Sequence, residues 1–161
     1  MSSSTAPGFV TRRRLFTAMG AGSVVILAAG LGVRIALRPA SEGDLITPDQ
    51  AHAMALSDRA VLVDIRRPDE WARSGIGEGA IPLDMRRPDF IQALSEIVGG
   101  ARNRLIILIC AGGVRSRWMA SRLAEAGFSH IIDVPEGMQG SRAGPGWLRR
   151  GLPTVKWDGN Q

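Results

Sequence analysis

Leu105-Ile106-Ile107-Leu108-Ile109-Cys110-Ala111-Gly112-Gly113-Val114-Arg115-Ser116 is the stretch on which the reading of this chain turns. A short unbroken apolar run bounded by turn residues has the pattern of a strand buried on both faces. Cys110 ends the run and two glycines turn the chain. Arg115 then opens a segment to Ala126 with Met119, Ala120, Leu123 and Ala124 on one helical face and Gly127 as its stop. A thiol placed there is positioned for stabilisation as a thiolate. Small residues let backbone N–H groups point inward, the helix start adds partial positive charge, and Arg115 adds a full one. The thiolate is the reactive form of cysteine, so the segment predicts an anion-binding or sulfur-transfer site. A free cysteine can also be mere core filling; Gly112, Gly113, Arg115 and Ser116 together favour chemistry over packing.

Outward from this stretch, apolar runs alternate with helix-like segments. Thr47 caps a helix that Pro48 opens and that runs to about Leu56. Ala60 to Ile65 reads as a buried strand, and Arg67-Pro68 starts another helix. Gly75, Gly77 and Gly79 mark a loop before a short strand at Ala80–Leu83. That glycine spacing does not pass from strand into helix, as a dinucleotide site requires. Pro88 to Val98 reads as helix, Ser129 to Val134 as strand, Glu136 to Gly146 as glycine-rich loop, and Trp147 to Arg149 as a short helix. The alternation predicts an α/β domain, a parallel sheet flanked by helices on both faces. Ligands of such sheets bind beyond the carboxyl ends of the strands. Cys110 falls at one such end, and Asp64 and Arg66 at the end of the preceding strand.

The net charge of +5 over 161 residues misleads. Residues 1–40 hold five arginines and no acid, so the other 15 basic residues are matched by the 15 acidic ones. A nucleic-acid partner is therefore not expected, and no basic stripe with interleaved aromatics follows. Cys110 is the only cysteine, which excludes an intrachain disulfide. His52 reads as an exposed helix residue and His130 as a turn residue; neither has metal-ligand spacing, so no metal is expected.

Thr11-Arg12-Arg13-Arg14-Leu15-Phe16 leads into Leu15 to Val33, 19 residues without a charge. A basic start before an apolar region is a secretory pattern, and the paired arginines resemble the twin-arginine export motif. The run is also nearly long enough to span the ~30 Å hydrocarbon core. A cleaved leader and a retained membrane anchor through residues 15–33 are both compatible with it. Either places the domain outside the cytoplasm, because the arginine cluster stays inside; the expected location is periplasmic. The chain thus divides into residues 1–40, signal or anchor, and residues 41–161, one domain.

Over about residues 45–155 the chain resembles a rhodanese-like (sulfurtransferase) domain. Val63-Asp64-Ile65-Arg66 with Glu70-Trp71 is similar to that family's Asp-x-Arg motif followed by an acidic–aromatic pair. Gly79-Ala80-Ile81-Pro82 is similar to its Gly-Ala-x-x-Ile-Pro segment, slightly shortened. Cys110 to Ser116 is similar to its active-site loop, and Glu136-Gly137-Met138, Trp147 and Gly151-Leu152-Pro153 follow its closing pattern. Ala111 stands where thiosulfate-using members often carry a charged residue. The resemblance implies a two-step transfer with no cofactor. Cys110 takes the outer sulfur of an anionic donor such as thiosulfate, becoming a persulfide, and a thiol or cyanide-like acceptor removes it. The amides from Ala111 through Gly112, Gly113 and Val114 to Arg115 are expected to stabilise the sulfur, with Arg115 holding the donor. Ser116 is expected to cap the helix, Asp64 and Arg66 to support the loop as an ion pair, Trp71, Trp118 and Trp147 to pack or rim the pocket, and Glu136 to face it. Two other classes compete. One is a persulfide carrier that hands sulfur to a protein acceptor. The other is a phosphatase, although such enzymes use Cys-x5-Arg and here Arg115 follows Cys110 after four residues.

Overall fold

The computed structural model describes residues 45–159, and its first helix begins where the sequence caps it. The Thr47 hydroxyl accepts from the Gln50 amide at 3.4 Å, and the Gln50 side-chain oxygen accepts from the Thr47 amide at 2.9 Å. This reciprocal box opens α1 (Pro48–Leu56), with Pro48 supplying the preset φ of a first turn. Next come β1 (Val61–Asp64), α2 (Pro68–Ser74), β2 (Ile76–Gly77) and β3 (Ala80–Pro82). After them lie α3 (Phe90–Ile97), β4 (Ile106–Ile109), α4 (Val114–Glu125), β5 (Ile131–Asp133), α5 (Gly146–Arg149) and β6 (Thr154–Val155). The export signal and the anchor read at residues 15–33 lie outside the described residues. Among those described, no helix is long and apolar enough to cross a membrane.

Strands β3, β1, β4 and β5 form one parallel sheet in that order, with Val63 beside Leu108 and Asp64 beside Ile109. Alternation along the strands sorts the core into two layers. Leu62, Ile107, Ile109 and Ile132 pack with Ala51 and Met54 of α1 and Trp147 of α5. Val63, Ile106, Leu108 and Cys110 pack with Phe90 and Leu94 of α3 and Met119 and Leu123 of α4. Helices therefore cover both faces, and strand parity puts Cys110 on the face of Ile106 and Leu108, the one that α4 covers.

Two expectations are corrected here. The Gly75–Gly79 stretch is not all loop: Ile76 and Gly77 pair antiparallel with Val155 and Thr154 as a second, two-stranded sheet. Two-residue strands carry no periodicity to read, and their partners lie far apart in the chain. His52 is not exposed. It is packed edge-on against Trp147, ring centroids 5.2 Å apart, and its Nε2 bonds Glu78 at 2.9 Å.

Candidate functional site

Gly113 makes the turn after Cys110 possible. Its φ of 81° is left-handed, and a Cβ there would lie 2.3 Å from the Pro135 carbonyl oxygen, so only glycine fits without strain. Gly113 is also the residue before α4, and its amide points back at the sulfur, with N to Sγ 3.2 Å. The Ser116 hydroxyl lies 3.3 Å from the same sulfur. Ser116 therefore does not cap the helix; Gly113 holds that position, and Ser116, one turn in, is buried with its hydroxyl committed to Cys110. Among the described hydrogen bonds the Gly113 amide is the only loop amide that reaches Sγ. The expected cradle from Ala111 to Arg115 is thus narrower than its sequence suggests.

The loop is clamped from behind. The Met138 amide donates to the Cys110 carbonyl at 2.8 Å, and the Gln139 amide to the Ala111 carbonyl at 2.9 Å. Gly137 approaches so closely that a Cβ on it would meet the Ala111 oxygen at 2.5 Å. Glu136 does not face the site. It accepts from Arg150 Nε at 2.9 Å, Arg150 Nη2 at 2.7 Å and the Gly146 amide at 3.0 Å. Burial alone would raise its pKa, but these bonds hold it below the usual carboxylate value.

Asp64 and Arg66 form a fully buried pair, Nη2 to Oδ2 2.7 Å. Arg66 also donates to Ser74 Oγ at 2.8 Å and to the Gly75 carbonyl at 2.7 Å. The pair thereby ties the end of β1 to the end of α2. Both side chains are fully buried, so the pair acts as a brace between these two elements.

Arg115 has a protein partner that the sequence did not indicate. Both its terminal nitrogens donate to Glu70, each at 2.7 Å, across from the first turn of α2. The Arg115 fork holds Glu70 at a pKa of about 2, and the Arg67 amide adds to the effect. Arg115 is raised in turn, first by Glu70 and to a lesser degree by Cys110. The cation beside the sulfur is therefore already partnered. The sequence marks Glu70 only as part of an acidic–aromatic motif; its partner, 45 positions away, is visible only in the fold.

Cys110 itself is only 1% exposed, whereas Val114 in the same loop is 81% exposed. Ala111 and Gly112 are half-buried. Trp71 and Trp147 are buried packing, while Trp118 is half-exposed, with the Arg122 guanidinium 5.0 Å from its ring centroid. Among the described residues no group of histidine, cysteine or carboxylate side chains is arranged to hold a metal ion.

Fold and site define an α/β domain with a thiol at the carboxyl end of a central parallel strand, facing a glycine-led helix start. A family model for the rhodanese-like domain matches residues 47–143. The chain belongs to the rhodanese-like domain family. Among solved structures, Rv0390 from M. tuberculosis is 27% identical with a TM-score of 0.56, over 73% of this chain and 100% of that one. The polysulfide-sulfur transferase homodimer from Wolinella succinogenes is 20% identical with a TM-score of 0.53, over 87% of this chain and 96% of that one. A protein of unknown function from Rhodopseudomonas palustris, described as a possible tyrosine phosphatase, is 21% identical with a TM-score of 0.52, over 88% and 100%. The latter two likenesses concern the fold alone. No curated protein matches the chain.

Proposed function

We propose that this protein is a sulfurtransferase that moves sulfane sulfur from an anionic donor such as thiosulfate to a nucleophilic acceptor through a persulfide on Cys110. The observation that carries this reading is the sulfur of Cys110 set 3.2 Å from the Gly113 amide and 3.3 Å from the Ser116 hydroxyl. Both are donors preorganised for a negative sulfur, and they need no rearrangement as charge develops. In the first step the thiolate attacks the outer sulfur of the donor and forms an S–S bond. The donor's own bond to that sulfur breaks, and its electron pair leaves with the remainder, sulfite in the case of thiosulfate. In the second step the acceptor attacks the outer persulfide sulfur and the thiolate is regenerated. Because Cys110 is 1% exposed, both steps require the half-buried stretch at Ala111 and Gly112 to admit the reactants. Arg115 can contribute only as much charge as Glu70 leaves uncompensated.

The phosphatase reading is weaker, because a loop of four residues between cysteine and arginine makes a ring better fitted to sulfur than to a tetrahedral phosphoryl group. One set of assays separates the possibilities. Wild-type protein should consume thiosulfate with cyanide as acceptor, Cys110→Ala should abolish this while remaining folded, and phosphate-ester hydrolysis should be negligible in both. Turnover unchanged in Cys110→Ala, or brisk ester hydrolysis by the wild type, overturns the assignment. A persulfide adduct on Cys110 without small-molecule turnover would favour the carrier role, with a protein as acceptor. Export, with the domain periplasmic and residues 15–33 cleaved or retained, belongs to the same proposal; N-terminal sequencing of the exported chain tests it.

A further inference from the structure

Beyond the sulfur loop, α4 forms one wall of a groove that sulfur transfer, as described, does not use. Residues 85–91, which lead into α3, form the other wall, and the groove encloses about 430 Å³. Neither Cys110 nor any residue of its loop up to Ser116 lines it. Its floor is apolar. Phe90 and Met119 are buried in the core layer that also holds Cys110, and Met85 and Ile91 pack against that layer. Trp118 stands half-exposed beside them, a large ring left in contact with water.

Three guanidinium groups border this floor, from Arg86, Arg87 and Arg122, and no carboxylate does. Two of the three are already balanced from outside the groove. Arg86 holds Asp84 at 2.6 Å, and Arg87 holds Asp89 at 2.7 Å. Among the described residues Arg122 has no such ion pair; its guanidinium lies over the Trp118 ring, 5.0 Å from the centroid. Stacking of this kind sets the plane of the guanidinium and leaves its N–H donors free along the edge. The groove therefore carries one uncompensated positive charge at the rim of an apolar floor.

We propose that this groove binds a small organic monoanion, a carboxylate carried on an apolar body about the size of one ring, whose charge pairs with Arg122 and whose body lies on Met85, Phe90, Ile91 and Met119. One uncompensated cation calls for one negative charge, and the planar donor fork of Arg122 matches a carboxylate, which accepts two parallel bonds. The thioethers of Met85 and Met119 favour an aromatic body, because sulfur against a ring is attractive. A volume of about 430 Å³ lies at the small end of the clefts that hold small molecules. A stable protein partner covers about 20–30 residues on each side, whereas nine line this groove. The inference goes beyond sulfur transfer and does not depend on any chemistry at Cys110.

Phenylacetate is the probe, added to the full-length chain and followed by NMR through the indole N–H signals of its four tryptophans. The Trp118 signal, identified by its loss in Trp118→Phe, should move saturably with a midpoint on the order of 1 mM. The signals of the buried Trp71 and Trp147 should stay in place. Phenylacetamide, the neutral isostere, should bind about fivefold more weakly. Arg122→Gln, at an exposed position that the fold does not need, should weaken phenylacetate by a similar factor. Arg117→Gln, on the same helix but outside the groove, should weaken it by less than about twofold. A Trp118 signal that does not saturate, equal binding of phenylacetamide, or equal losses in the two arginine variants would each overturn the proposal. A Trp118 signal that moves with protein concentration alone would assign the groove to a second copy of this chain and would overturn it as well.

Discussion

Replacing Glu70 by glutamine should change stability in a way that depends on pH, because its ion pair with Arg115 joins α2 to the first turn of α4 beside the sulfur. Glu70 is brought from an ordinary 4.5 to about 2 in the folded protein, chiefly by the two 2.7 Å bonds from Arg115. A depressed carboxyl pKa stabilises the fold above the unfolded value and loses that contribution as pH falls toward the folded one. At about 1.4 kcal/mol per pH unit the displacement corresponds to a ceiling of about 3 kcal/mol. Glu70 is 7% exposed but Arg115 is 31% exposed. Solvent therefore screens part of the interaction, and about 2 kcal/mol is the expected difference. Denaturant unfolding of the wild type and Glu70→Gln, followed by tryptophan fluorescence, should give this difference at neutral pH. The gap should close between pH 4.5 and about 2 as the wild-type carboxyl takes up its proton. A gap that stays constant across that range would refute the reasoning, since a neutral packing defect has no reason to follow the titration of Glu70. Freeing Arg115 should also lower the KM for thiosulfate if the proposed donor binds there.

Two further outcomes follow from the geometry. Asp64→Ala leaves the Arg66 guanidinium uncompensated in a fully buried site. It should cost about 3–5 kcal/mol, read as a lower urea midpoint; a loss below about 1 kcal/mol would mean that Ser74 and the Gly75 carbonyl suffice to hold the charge. Gly113→Ala should destabilise by on the order of 1–3 kcal/mol, because its φ is 81° and the new Cβ would meet the Pro135 oxygen at 2.3 Å. It should also slow alkylation of Cys110 at neutral pH as the amide moves from Sγ, 3.2 Å away in the wild type; alkylation at the wild-type rate would show that the Gly113 N–H does not stabilise the sulfur.

Much of the site was legible because its parts are neighbours in the chain. A run of five apolar residues, a cysteine, two glycines and a helix face are local signals, and backbone sterics convert them into strand, turn and helix with little help from elsewhere. The pairing of Asp64 with Arg66 was readable for the same reason, since two residues at i and i+2 where a strand ends can meet without tertiary folding. The role of Ser116 was misread because a serine near a helix start is usually a cap. Here Gly113 makes the turn, and the serine falls one turn inside, where its hydroxyl reaches the sulfur.

By itself the chain determined the alternating α/β order and the position of its single thiol at a strand's carboxyl end, since strand patterns and turn chemistry act over a few residues. Tertiary structure alone decided that Arg115 is tied to Glu70, that His52 lies against Trp147, and that Ile76–Gly77 finds Thr154–Val155. The charge that Arg115 can offer beside the sulfur depends on the first of those meetings. A charge interacts with whatever lies within a few ångströms of it, and only packing of the sheet against α2 and α4 settles which groups those are.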